Sequence, residues 1–401
     1  MRTQEKLPVI PITEIEQSAF CRNDEPLDVK PLAEEFSAPI RWQGIPSEYL
    51  NMNGTDLTRR IKIARETLSD RVAILGHHYQ REEVIQFADV RGDSFKLSQY
   101  AASLPDAEFI VFCGVHFMAE TADILSGSHQ KVILPNITAG CSMSDMAKTE
   151  DVLDCWEDLE NILGKGGIIP VTYMNSTADI KALCGRNNGI VCTSSNAAEV
   201  INWAFTQGER ILFLPDQHLG RNTGLSLGIK LEEMVLWNPF KALGGNSEAS
   251  LKNARIVLWQ GHCSVHTRFN LGQISKARET YPDVNVIVHP ECTMEVVQES
   301  DYNGSTEYII KTIQEAEPGT KWAIGTEISL VNRLAKENSD KVVFCLDSVV
   351  CPCSTMYRIH PAYLLWVLEG LIEGNVINQV SVDKEIAYQA GIALDRMLQI
   401  S

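Results

Sequence analysis

Short unbroken apolar runs recur along the chain, and each stops at a polar or glycine-bearing corner. Residues 71–75 run into Gly76-His77-His78-Tyr79-Gln80, residues 167–172 into Tyr173-Met174-Asn175, and residues 285–288 into His289-Pro290-Glu291. Runs this short, without alternation, read as strands covered on both faces. Between them the apolar period lengthens. Residues 56–68 place Leu57, Ile61, Ile63 and Ala64 at near-helical spacing behind Asp56 as a cap, and residues 82–87, 93–102 and 116–125 read as further helices. Strands alternating with helices predict parallel α/β layers.

The pattern also repeats. After each opening strand comes a hydroxyl-bearing turn: Gly92-Asp93-Ser94, Cys192-Thr193-Ser194-Ser195, then Asn303-Gly304-Ser305-Thr306. A second strand and loop follow (109–112 with Gly114-Val115-His116, 211–214 with Pro215-Asp216-Gln217-His218, 322–324 with Gly325-Thr326-Glu327), then a helix, then a strand leading to a cysteine. Those last strands are 131–135 before Cys141, 256–258 before Cys263, and 341–346 before Cys351-Pro352-Cys353. The same landmarks in the same order imply a triplicated unit. The expected fold is therefore α/β, with three homologous three-layer α/β/α domains in a pseudo-three-fold arrangement around a central site. The expected boundaries are a flexible extension 1–45, a first domain 46–160 onto which the C-terminal helices 357–401 pack back, a second 161–270 and a third 271–356. Residues 145–166 read as an acidic surface helix joining the first two units. Residues 224–253 read as an insertion, either a connecting element or a cover over the site. Residues 363–370 and 383–398 read as amphipathic helices closing the fold.

Charge narrows the partners. With 52 acidic against 35 basic residues and a net charge of −17, a nucleic-acid surface is not expected, and an anionic ligand has to be held locally by hydroxyls and helix N-termini. No apolar run of signal-peptide or membrane-spanning length is visible, so the expected location is cytoplasmic. The 11 cysteines form no C-x-x-C pair, which suits a reducing compartment with metal-binding or catalytic thiols better than a disulfide framework. Cys21, Cys155, Cys184, Cys192 and Cys345 read as small buried or incidental side chains.

In parallel α/β units, the C-terminal strand ends and the loops after them form the binding side. Three thiolates brought together there, without an evident fourth ligand, suggest a metal centre with an open coordination position. A structural zinc site would want four ligands. A [4Fe–4S] cluster accepts thiolates at any sequence spacing and, held by three, leaves one iron free as a Lewis acid. Residue chemistry alone leaves both open.

Over residues 71–398 the sequence resembles the quinolinate synthase family of NAD biosynthesis. The resemblance rests on Gly76-His77-His78-Tyr79-Gln80, Gly140-Cys141-Ser142-Met143, Tyr173-Met174-Asn175 with Lys181-Ala182, Val191-Cys192-Thr193-Ser194-Ser195, Pro215-Asp216-Gln217-His218-Leu219-Gly220-Arg221, Trp259-Gln260-Gly261-His262-Cys263, His289-Pro290-Glu291 and Gly304-Ser305-Thr306. It implies a [4Fe–4S] cluster bound by one cysteine from each of three domains. The implied reaction condenses iminoaspartate with dihydroxyacetone phosphate to give quinolinate, phosphate and two waters, with iminoaspartate supplied by an aspartate-oxidising enzyme. The ligands would be Cys141, Cys263 and one of two residues. Cys351-Pro352 matches the Cys-Pro of many relatives without a gap, whereas Cys353 heads the helix predicted from Ser354, where a thiolate is favoured; Cys353 is preferred. Acid–base steps would fall to Tyr79, His77, Glu291 and His289. Ser94, Ser194 and Thr306 would hold carboxylates and phosphate, and Tyr173, Met174, Asn175, His77, His289, Pro290 and Glu291 would complete the substrate pocket. His78, His116 and His218 read as structural. A cluster-based sensor without turnover is the alternative, and a zinc hydrolase is disfavoured by the lack of an H-E-x-x-H.

Overall fold

The computed structural model describes residues 12–23, 30–103 and 107–400. Three sheets of parallel strands carry the fold, as the alternation of strand and helix predicts. The first orders Val90–Gly92, Val72–His77, Phe109–Cys113 and Lys131–Ile133, with Gln379–Val380 added antiparallel at its edge. The second orders Ile190–Cys192, Ile169–Tyr173, Ile211–Leu214, Ile256–Trp259 and the edge strand Met234–Trp237. The third orders Tyr302–Asn303, Val284–Val288, Lys321–Gly325 and Val342–Cys345. In each sheet the second strand in the chain lies outside the first, and the later ones lie on its other side. The order therefore reverses between the first and third strands, which opens a crevice beyond their carboxyl ends. The core strands are buried throughout, Val72–His77 and Phe109–Cys113 at every residue. That explains their apolar runs without alternation.

Several expectations need correction. Residues 224–253 are neither a cover nor a simple connection, because Met234–Trp237 pairs residue for residue with Ile256–Trp259 and extends the second sheet. Pro361–Ile372 is buried nearly all round rather than amphipathic; it lies against the Gly54–Leu68 helix within the core shared by the first two sheets. The last helix, Lys384–Gln399, packs on the Ala178–Arg186 helix of the second unit and not on the first unit alone: Arg396 donates to the Gly189 carbonyl at 2.6 Å. The lead-in has structure in its described parts. Phe20 and Leu32 are buried, and the Glu35 carboxylate receives the buried Arg81 guanidinium at 2.8 and 3.0 Å. The 145–166 stretch is the helix Thr149–Leu163, which buries Val152, Cys155, Trp156 and Leu159 against the second sheet. Among the described residues no helix is long and apolar enough to cross a membrane.

The contact between the last helix and the second unit can be tested. A Cβ at Gly185 would lie 1.8 Å from the Gln389 carbonyl oxygen. Gly185→Ala must therefore push two helix backbones apart, and a loss of roughly 1–3 kcal/mol is expected for such overpacking. A thermal unfolding midpoint equal to that of the parent would contradict this packing.

Candidate active site

The first strand of each sheet delivers one ring to a common cavity. His77 ends Val72–His77, Tyr173 ends Ile169–Tyr173, and His289 follows Val284–Val288. The turn after each second strand delivers a hydroxyl: Ser94 and Thr306 open helices, and Ser194 stands two residues before the cap of Ala197–Gln207. These turns are tied together. Asp93, which caps the Ser94–Ala102 helix, accepts from Ser195 Oγ at 2.8 Å, and Asn222 donates to the Pro290 carbonyl at 2.9 Å. Among the described residues that line the cavity, none is Lys or Arg. Anion recognition there falls to hydroxyls, backbone N–H groups and neutral imidazoles.

A hydrogen-bonded network lies along one wall. Tyr79 Oη is 2.8 Å from Thr326 Oγ1 and 3.2 Å from Thr306 Oγ1. His266 Nε2 is 3.0 Å from Thr326 Oγ1, and its Nδ1 lies 2.5 Å from Glu291 Oε2. The His266 ring stacks on His289 at 4.4 Å between centroids. The backbone N–H groups of Tyr79 and Glu291 donate to Nδ1 of His77 and His289, which leaves Nε2 as the N–H of each neutral ring. Burial, and after it the charges of His78 and Arg333, hold His77 well below the ordinary histidine range. Burial and the neighbouring His266 hold His289 down to about 3. Burial works to raise Glu291, but the His266 ring beside it outweighs that and keeps the carboxyl below its ordinary range. Burial and the Glu291 charge push both Tyr79 and Tyr173 above the ordinary phenol range. The wall thus pairs an ionised carboxylate with protonated phenols. Buried Glu291 Oε1 and Asn175 Oδ1 have no hydrogen-bond partner among the described residues and belong to cavity-lining residues.

Cys141, Cys263 and Cys353 line the same cavity, each from the loop after the last strand of a different sheet. Cys141 and Cys353 cap the short helices Ser142–Asp145 and Ser354–Tyr357, and Cys353 N–H donates to Glu327 Oε1 at 3.2 Å. Burial raises all three thiols; the Cys353 charge adds to it at Cys141, the charges of Glu291, Cys353 and Cys141 at Cys263, and that of Glu327 at Cys353. Three cysteines lining one cavity would, as thiolates, need a cation between them, so the donor set fits a thiolate-bound metal group. Cys351 is not in this wall; it is bonded to Cys21. Cys21 is therefore not incidental, and the expectation of unpaired thiols fails at this pair.

The sequence model of the family described as Quinolinate synthetase A protein matches residues 59–399. The chain belongs to that family. It is 59% identical over 360 residues to the quinolinate synthase of Corynebacterium glutamicum, covering 90% of this chain and 91% of that one. To that of Streptomyces coelicolor it is 54% identical over 385 residues, 93% and 98% of the two chains. The quinolinate synthase of Geobacillus thermodenitrificans is 52% identical over 358 residues, 89% and 97% of the two.

Of the residues expected at the site, His77, Tyr79, Ser94, Tyr173, Asn175, Ser194, His289, Glu291, Thr306 and the three cysteines line the cavity. Two do not. Met174 faces the core, where its sulfur meets Thr121 Oγ1 at 3.5 Å, because strand alternation turns it away from Tyr173. Pro290 contributes only a carbonyl, and Asn222 holds it. His78 pairs with Glu307 at 2.9 Å, His116 sits 3.7 Å from Glu120, and His218 lies against Arg221; none lines the cavity. Sequence reasoning missed His266 and Thr326. His266 was within reach, since it closes the same stretch that supplies Cys263.

Proposed function

We propose that the chain condenses iminoaspartate with dihydroxyacetone phosphate to quinolinate, releasing phosphate and two waters, for NAD biosynthesis in the cytoplasm. The observation that carries this reading is that three cysteines from three sheets line the same cavity as the Tyr79–His266–Glu291 network. We infer that the sheets belong to three homologous α/β/α domains about a pseudo-three-fold axis, at 46–160, 161–270 and 271–356; their shared strand order supports this. Cys141, Cys263 and Cys353 would hold a [4Fe–4S] cluster, which when bound supplies a Lewis acid that eases loss of a hydroxyl.

The chain's own groups divide the remaining work. Ser94, Ser194 and Thr306 offer hydroxyl and backbone N–H donors to carboxylates and phosphate. Neutral His77 and His289 donate from Nε2 without bringing a charge. Glu291, held ionised, takes a proton from carbon at its free Oε1. Tyr79, held protonated, returns one to a departing oxygen and is re-protonated through Thr326. Tyr173 and Asn175 orient the substrate's polar groups. An aspartate-oxidising enzyme is the source of iminoaspartate in this reading.

A single-ion reading has one observation behind it: donor atoms of Cys263, His266 and Glu291 lie within 4.8 Å of one another. Both His266 nitrogens, however, already face Thr326 and Glu291. Anaerobically prepared protein is expected to carry roughly four irons and four sulfides per chain and to form quinolinate from the two substrates. Stoichiometric zinc without sulfide would sink the cluster, and iron-loaded protein that makes no quinolinate would favour the sensor.

A further inference from the structure

Residues 12–23 lie outside the stretch the family model matches, yet they touch the loops that carry all three cysteines. At the first loop, Ile12 N–H donates to Asp145 Oδ2 at 2.9 Å, and Ile12 Cδ1 would lie 3.6 Å from a Cβ on Gly140. At the second, the Arg268 guanidinium reaches Cys21 Sγ at 3.6 Å. At the third, Cys21 is bonded to Cys351, and Arg22–Asn23 pairs antiparallel with Val349–Val350. Inner anchors fix the segment. Buried Glu16 meets Arg41 at 3.1 Å and Arg358 at 3.8 Å, and Phe20 packs on Tyr357 at 4.8 Å between centroids.

We propose that residues 12–23 form a clasp over the three cysteine-bearing loops, latched by the Cys21–Cys351 bond and released by thiol–disulfide exchange with a dithiol. Resting on the cluster reading above, the clasp sets how readily the centre is gained and lost. A one-turn helix and a two-residue strand pair have little stability of their own, so the covalent link between positions 330 residues apart adds to the inner anchors in keeping the segment down, and its loss leaves them alone to do so. In the exchange, one thiolate of the dithiol attacks a sulfur of the bond, and its second thiol then displaces the mixed disulfide. The dithiol loses two electrons and two protons, Cys21 and Cys351 become thiols, and the reverse reaction closes the latch. A disulfide in a reducing compartment is commonly of this exchangeable kind.

The test uses the full chain, as parent, Cys21→Ser and Cys351→Ser. Each is equilibrated with oxidised or reduced dithiothreitol, freed of reagent and mapped by mass spectrometry. In iron-free protein, iodoacetamide labelling of Cys141, Cys263 and Cys353 reads the clasp without any cluster. Labelling in the oxidised parent is expected to be slower than in the reduced parent on the order of tenfold, as for a local opening. Both variants should label at the fast rate under either condition. In iron-loaded protein, release to a ferrous chelator should follow the same order. Equal labelling rates in the oxidised and reduced parent, or no linked Cys21–Cys351 peptide after oxidation, would overturn the clasp. Latch-dependent labelling in a chain that never takes up iron and sulfide would support the clasp and reject the cluster.

Discussion

Tyr79→Phe and Glu291→Gln are each expected to leave iron and sulfide content unchanged and to lower kcat by roughly 10²–10⁴-fold, the usual contribution of a positioned acid or base. Neither side chain is among the three thiols, so cluster content should not follow activity. Phenylalanine keeps the ring that stands edge-on to His77 at 4.7 Å and removes only the hydroxyl shared with Thr306 and Thr326. Glutamine keeps the shape of Glu291 but not the negative charge that faces His266. A fall below tenfold in both variants, with the cluster intact, would take proton transfer away from this wall. Loss of iron along with activity would mean that the residues organise the ligand loops instead.

Cys353→Ser is expected to abolish cluster binding and turnover together, whereas Cys351→Ser should keep most of both. The reason is positional. Cys353 lines the cavity with Cys141 and Cys263, and its N–H is fixed by Glu327; Cys351, only two residues earlier, points into a different contact and is bonded to Cys21. Serine is a poor stand-in for a thiolate toward iron, so one lost ligand of three leaves too little to retain the group. Iron and sulfide analysis of the two variants, with single-turnover assays on whatever cluster remains, separates the alternatives. The reverse ranking would show that the gap-free Cys-Pro register marks the true ligand.

Much of the site was legible along the chain because a parallel α/β unit puts chemistry where an apolar run stops. His77, Tyr173 and His289 end or follow buried strands, and Ser94, Ser194 and Thr306 stand near helix starts, so landmarks in sequence became neighbours in space. Met174 shows the limit of reading motifs as blocks. It sits between two cavity residues, but the period of two along a strand sends its side chain into the core.

The sequence by itself determined the α/β class, the three strand-end cysteines and the hydroxyl turns, since each follows from local period and turn chemistry. Only the tertiary structure decided which cysteine of 351 and 353 faces the cavity, that His266 and Thr326 join Tyr79 to Glu291, and that Cys21 meets Cys351. The physical reason is separation: these relations join residues far apart in the chain, or differ by a two-residue rotation of a loop. Hydrophobic periodicity carries no information about either, because it records which face of an element is buried and not what it is buried against.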